Sequence, residues 1–262
     1  MVESSYDAHY VTAIDIVIDV SEERGRRRVR WRPQFRVIDT AMVMPDPEVA
    51  AVVAKFEDEL SKELDAPIGT TAVELDSRAA TVRTREAAIG NLVADAMRWS
   101  AQTVVAVTNG GSIRGDKIYP PGTTITRREV LAELPFGNRL VTIDVRGSAL
   151  KAAIENGLSR LPAPSGRFPQ VAGLKIEADP SRPAGNRVLS IKVGDTLLDA
   201  NKTYSVATID FMARGGDDYV AFRDAEPVLP PADSPTVAFE VIDYIKGIAT
   251  IRTSVGGRIV LK

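Results

Sequence analysis

Cysteine is absent from the 262 residues, and histidine occurs once, as His9. Without cysteine there are no disulfides, zinc ribbons or thiol nucleophiles. Catalytic metal centres and serine triads usually draw on imidazole, and one histidine near the chain end is a poor start for either. Carboxylate chemistry stays open, because 35 aspartates and glutamates are present. No apolar run approaches the roughly 18 residues of a membrane span. The opening "MVESSYDAHY" lacks the basic and apolar regions of a secretory signal. A net charge of −2 gives no electrostatic footprint for nucleic acid.

What is present suits a folded protein with a sizeable core, as one large domain or two small ones. Apolar residues make up 44% and charged residues 26%, ordinary values for a globular chain. "YVTAIDIVIDV" alternates, with Ile14, Ile16, Ile18 and Val20 on one face, which predicts a strand. "SEERGRRR" reads as a charged turn, and "VRWRPQFRVIDT" as a returning strand weakened by Pro33. Residues 10–40 are therefore expected to form a hairpin, marginal unless it packs on something larger.

Asp46 and Pro47 open a helix as N-cap and first residue. Its Val49, Val52, Val53, Phe56, Leu60 and Leu64 form one stripe, read as core packing.

Beyond residue 66 strands and helices mix without strict βαβ alternation, which predicts an α+β fold. "TREAAIGNLVADAMRWS" places Ile89, Leu92, Val93, Ala96 and Met97 on one helical face, and "TVVAVT" reads as a short buried strand. Thr126 and Glu129 form a capping box ahead of "LAEL". "GSALKAAIENGLSR" reads as a helix stopped near Gly157. "GLKIEAD", "RVLSIKV", "YSVATI" and "GRIVLK" read as strands, and "TVAFEVIDYIKGI" as the last helix.

Four loops carry candidate chemistry. "VRTRE" holds Arg83, Arg85 and Glu86; taken alone it reads as a solvated charge cluster. "NGGSIRG" follows a strand. Asn109, Gly111 and Arg114 there suit an anion, with glycines that let backbone N–H groups approach and a planar guanidinium fork. Alone, a structural turn is the favoured reading, and the residue order is not that of a P-loop. In "LPFGN", Phe136 reads first as a core plug, the alternative being a ring offered to a flat ligand, with Asn138 beside it. "DFMARGGDDY" offers Phe211 and Asp217; the carboxylate suits a ribose diol, although Asx-turn chemistry explains it equally well. Together the loops supply arginines for an anion, an amide, two rings for a flat base and an acid for a sugar, which is what a nucleotide needs.

"TREAAIGNLVADAMRW", "TNGGSIRG", "LPFGNRLVTIDVRGSALKAAIENGL", "FPQVAGLKIEAD" and "FMARGGDDY", in this order, resemble the C-terminal domain of the 5'-nucleotidases. That group includes ecto-5'-nucleotidase, bacterial UDP-sugar hydrolases and related 2',3'-cyclic phosphodiesterases. The resemblance covers about residues 66–262, with Ser112 standing where the family often has a third glycine. It implies a mixed sheet with packed helices. It also implies that Arg83 and Arg114 contact the nucleotide beside Asn109, that Phe136 and Phe211 sandwich the base, that Asp217 binds ribose hydroxyls, and that Asn138 lies near the base edge.

The family's chemistry resides in an N-terminal metallophosphoesterase domain with two divalent metals, held by motifs such as D-x-H, G-N-H-[DE] and G-H-x-H. With a single histidine the chain carries neither G-N-H-[DE] nor G-H-x-H, and "DAH" at 7–9 alone matches D-x-H. Residues 1–43 resemble a strand remnant of that domain, 44–65 the linker helix, and 66–262 the whole substrate-binding domain. The expectation is a nucleotide- or nucleoside-recognition lobe of a phosphoester hydrolase, with no catalytic residue, metal or cofactor of its own. In the full-length protein it would partner the metal domain and rotate to deliver substrate to a metal-activated water. A homodimer and an extracellular, periplasmic or cell-surface location are further implications. The alternative is a stand-alone nucleotide-binding or dimerisation module without hydrolase activity.

Overall fold

The computed structural model describes residues 8–225 and 234–262. The stretch read for a targeting signal lies mostly outside the described residues. The chain divides into two compact units, residues 1–61 and 62–262.

The first unit is a hairpin and most of a helix. Strands Tyr10–Glu23 and Arg26–Asp39 pair antiparallel over their whole length. The connection is shorter than the sequence suggests. Arg24 and Gly25 take φ of 53° and 72°, the left-handed pair that matches strand twist and closes a two-residue turn. Most of "SEERGRRR" is therefore strand. Pro33 is accommodated opposite Ile16.

The register sorts the hairpin into two faces. Ile14, Ile16, Ile18 and Val20 lie opposite Phe35, Pro33, Trp31 and Val29. The other face carries the ion pairs Arg28–Glu23, Arg32–Asp19 and Arg36–Asp15.

In helix Pro47–Leu64 the Asp46 carboxylate accepts from the N–H groups of Glu48 and Val49, as an N-cap should. The reading of its stripe as core packing is not met within this chain. Val49, Val52, Val53, Phe56 and Leu60 are all exposed.

The second unit holds the core. Its central sheet runs in the order Leu140–Arg146, Thr203–Ile209, Val105–Asn109, Pro169–Ala172. The middle pair is parallel and the outer two strands run against it. Val105, Ala106, Val107, Val171, Ala172, Val206 and Ala207 are fully buried, the continuous apolar reading of strands covered on both faces. Helix Ala88–Ala101 lies against this sheet with Ile89, Leu92, Val93, Ala96 and Met97 inward. Its approach is close: a Cβ on Gly90 would sit 2.3 Å from Gln170 Oε1.

A second sheet orders Thr196–Leu197, Val188–Val193, Leu174–Ala178 and Ile259–Leu261. A three-stranded sheet joins Thr250–Ile251, Pro67–Thr71 and Thr124–Thr126. Mixed sheets with packed helices make the fold α+β.

The capping box of Thr126 and Glu129 opens helix Arg127–Glu133 as expected. Helix Gly147–Leu158 ends next to Gly157, as expected, but no left-handed cap accounts for that glycine. It is needed for space, because a Cβ there would lie 2.6 Å from Tyr219 Oη and 2.8 Å from Pro169 Cδ.

Candidate functional site: a polar and aromatic cavity at one sheet edge

Sheet topology brings the four loops together. The parallel strands end side by side at Asn109 and Ile209, and release "GGSIRG" and "FMARGGDDY". The flanking antiparallel strands begin at that same edge. Leu140 is level with Ile209, and Pro169 with Asn109. "PFGN" and Gly166 therefore arrive there too. The result is a cavity of about 450 Å³ lined by Arg83, Asn109, Gly111, Arg114, Phe136, Asn138, Phe211 and Asp217, with Ser112 and Gly166.

Arg83 follows the short helix Ala79–Val82, whose approach is fixed by Asp76. That carboxylate accepts from the Arg78 N–H and guanidinium and from Thr81 Oγ1. The Arg78 guanidinium holds it well below the usual carboxylate range, at about 2. Behind Arg83, buried Gln170 donates to Val82 O and Arg85 O and accepts from Ala87 N. Arg83 is thus half-buried on a braced segment, not a member of a solvated cluster.

Burial lowers the Arg83 pKa, and the Arg114 charge adds to the effect. Its Nε is buried without a hydrogen-bond partner. Neither Arg83 nor Arg114 has an ion-pair partner among the described residues. Two unpaired guanidiniums facing one cavity favour an anion there.

The other residues of "VRTRE" have different places. Arg85 is exposed. Glu86 is buried and accepts from Asn91 Nδ2, Gly256 N and Ile259 N, which clips the C-terminal segment to the helix.

Two rings, Phe136 and Phe211, line the same cavity. Phe136 is 56% exposed, so the core-plug reading fails and the ring is available. Leu134 is the buried plug instead. The Arg114 guanidinium lies 5.4 Å from the Phe136 ring centroid, within cation–π range. Phe211 lies across the backbone of Gly216, where a Cβ would come within 2.5 Å of ring carbons.

Asn109 is buried, and its Nδ2 donates to Asp217 Oδ2 at 2.5 Å. Ser112 Oγ donates to Asn109 Oδ1, so the hydroxyl fixes which way the amide faces. Sequence reading treated Ser112 only as a departure from a glycine and passed over Gly166.

The glycines of "NGG" act differently from expectation. Gly110 N–H donates to Phe168 O and Gly111 N–H to Gly166 O. Those donors tie the loop to the neighbouring segment and are not free for an anion. A Cβ on Gly110 would lie 2.1 Å from Val82 O, so this glycine lets the Arg83 segment close in. Farther along the loop, Arg114 N–H donates to Glu133 O and Gly115 N–H to the Glu133 carboxylate. Burial pushes the Glu133 carboxyl upward.

Among the described residues no group of three His, Cys, Asp or Glu side chains could hold a metal ion. The cavity's donor set of guanidiniums, amides and one aspartate does not fit a dinuclear centre.

The family model for "5'-nucleotidase, C-terminal domain" matches residues 67–224. The chain is 38% identical over 191 residues to the trifunctional nucleotide phosphoesterase protein YfkN of Bacillus subtilis, covering 69% of this chain and 13% of that protein. It is 31% identical over 240 residues to the snake venom 5'-nucleotidase of Crotalus adamanteus, covering 83% of this chain and 40% of that one. The crystal structure of a 5'-nucleotidase precursor from Thermus thermophilus superposes with a TM-score of 0.73 at 31% identity. That match covers 97% of this chain and 50% of the other. The chain thus spans half or less of the length of these relatives. The matched model, the fold and the ordered motifs agree that this chain belongs to the 5'-nucleotidase C-terminal domain family.

Proposed function

We propose that the cavity binds a nucleoside phosphate and presents it to a catalytic domain outside this chain. Phe136 and Phe211 take the two faces of the base, with Asn138 near its edge. Asp217, oriented by Asn109, accepts from ribose hydroxyls. Arg83 and Arg114 take the phosphate. The observation that carries this reading is the pair of unpaired arginines sharing one cavity with two exposed rings and an aspartate. The partner would be a metallophosphoesterase domain in which two metal ions activate the attacking water. In this reading residues 1–43 are a strand remnant of that domain, 44–65 the linker helix and 66–262 the recognition lobe. The exposed apolar face of the hairpin is the surface it would cover. The venom relative supports an extracellular, periplasmic or cell-surface setting for the whole protein.

Two measurements test the reading. Titration of adenosine and AMP against the chain should give saturable binding that weakens about tenfold or more in Phe211→Ala, since stacking on one ring contributes about 1–3 kcal/mol. Equal response of both proteins would sink the aromatic clamp. With added divalent metal the chain alone should release no phosphate from AMP. Turnover in the ordinary enzyme range of about 1–1000 per second would show that chemistry resides in this lobe after all.

A further inference from the structure

Asp217 and Asp218 both take positive φ, 53° and 61°. Consecutive non-glycine residues rarely adopt the left-handed region, because the Cβ crowds the backbone. Such a turn persists where its surroundings over-determine it. Here the surroundings come from helix Gly147–Leu158 and the segment just before strand Pro169–Ala172. Asn156 Nδ2 donates to Asp217 O at 3.0 Å. Arg167 Nη2 pairs with Asp218 Oδ2 at 2.6 Å. Arg167 Nη1 donates to Asn156 Oδ1 at 3.2 Å and to Ser159 Oγ at 3.3 Å. Arg167 O in turn accepts from buried Tyr219 Oη at 2.7 Å.

The Arg167 side chain is only 16% exposed, so its fork is held in place. It is not among the residues lining the cavity. It touches both the helix and the turn, and none of its contacts reaches the space a ligand would fill.

We propose that Arg167 is a positioning residue for sugar recognition. Through Asn156 and Asp218 it fixes the left-handed turn that aims the Asp217 carboxylate into the cavity. This rests on the nucleotide reading above. The ligand feature it governs is the ribose hydroxyl pair, not the base or the phosphate. Arg167 therefore sets discrimination between sugars that carry those hydroxyls and sugars that lack them.

The test uses the full chain with adenosine and 2',3'-dideoxyadenosine as probes, read by calorimetric titration. Arg167→Gln should weaken adenosine about tenfold, a change of about 1.4 kcal/mol, and dideoxyadenosine less than about twofold on the same scale. Arg167→Lys, which keeps the charge but not the fork, should lie between Gln and the unaltered chain for adenosine. In an Asp217→Ala background Arg167→Gln should have no further effect on adenosine. A merely structural role would weaken both nucleosides alike and in every background. That result, or unchanged adenosine binding in both Arg167 variants, overturns this proposal alone. Absence of adenosine binding by the unaltered chain overturns the nucleotide reading and this proposal with it.

Discussion

Gly216 shows how one missing side chain places another. Phe211 packs against its backbone, and a Cβ would come within 2.5 Å of ring carbons. Gly216→Ala should therefore displace the ring and weaken nucleoside binding, measured by titration. The melting temperature should change little, because Phe211 is 39% exposed and is not a core residue. Asp76 offers a second residue-scale test. Its carboxyl is held at about 2 in the folded chain, against 3.8 ordinarily, chiefly by the Arg78 guanidinium. A depressed carboxylate stabilises the fold fully above its unfolded value, and loses that contribution as pH falls through the folded one. Between about pH 4 and pH 2 Asp76→Asn should lose less stability than the unaltered chain, as read by denaturant unfolding. At this scale the sequence pointed to residues that the fold brings to one cavity. It did not reveal what each glycine does, because that depends on neighbours far along the chain. Gly110 faces Val82 and Gly111 faces Gly166. Ser112, Gln170 and Arg167 were equally illegible: each acts by orienting another side chain, and no local pattern marks that work.

At the scale of elements the hairpin is the informative case. Alternation marked its first strand correctly, but charge misled at the turn. Arginines at alternate strand positions belong to a solvated, ion-paired face. The turn needs only Arg24 and Gly25. Gly25→Ala should destabilise the hairpin by about 1 kcal/mol, since only glycine takes positive φ without a Cβ penalty; amide hydrogen exchange in strands Tyr10–Glu23 and Arg26–Asp39 reports it. The opposite face is apolar and exposed, with Trp31 at 64% and Val37 at 69%. The helix that follows exposes its stripe from Val49 to Leu60. Periodicity correctly marked which face is apolar in both elements, yet it carries no information on whether the covering surface lies in the same chain. Trp31→Lys with Phe35→Lys should leave the main thermal transition unchanged, as read by scanning calorimetry. A lowered melting temperature would mean that these rings support the larger unit's core.

For the whole molecule, the decisive feature is the direction of four strands. Two parallel strands deliver "NGGSIRG" and "FMARGGDDY" to one edge, and two antiparallel neighbours bring "PFGN" and Gly166 to meet them. Residues separated by more than a hundred positions thereby share one cavity. The ordered motifs made the family legible, whereas the strand order that explains the convergence came only from the fold. Among the described residues two guanidiniums of that cavity lack carboxylate partners, and in the proposed function they take the phosphate. That central claim is tested most directly by comparing AMP with adenosine on the unaltered chain and on the Arg83→Gln, Arg114→Gln double variant. AMP should bind the unaltered chain about tenfold more tightly, the low end for charge-assisted hydrogen bonds at a partly exposed site. That advantage should vanish in the double variant while adenosine affinity is kept. Equal affinity of the unaltered chain for AMP and adenosine, or an AMP advantage that survives loss of both arginines, would contradict it.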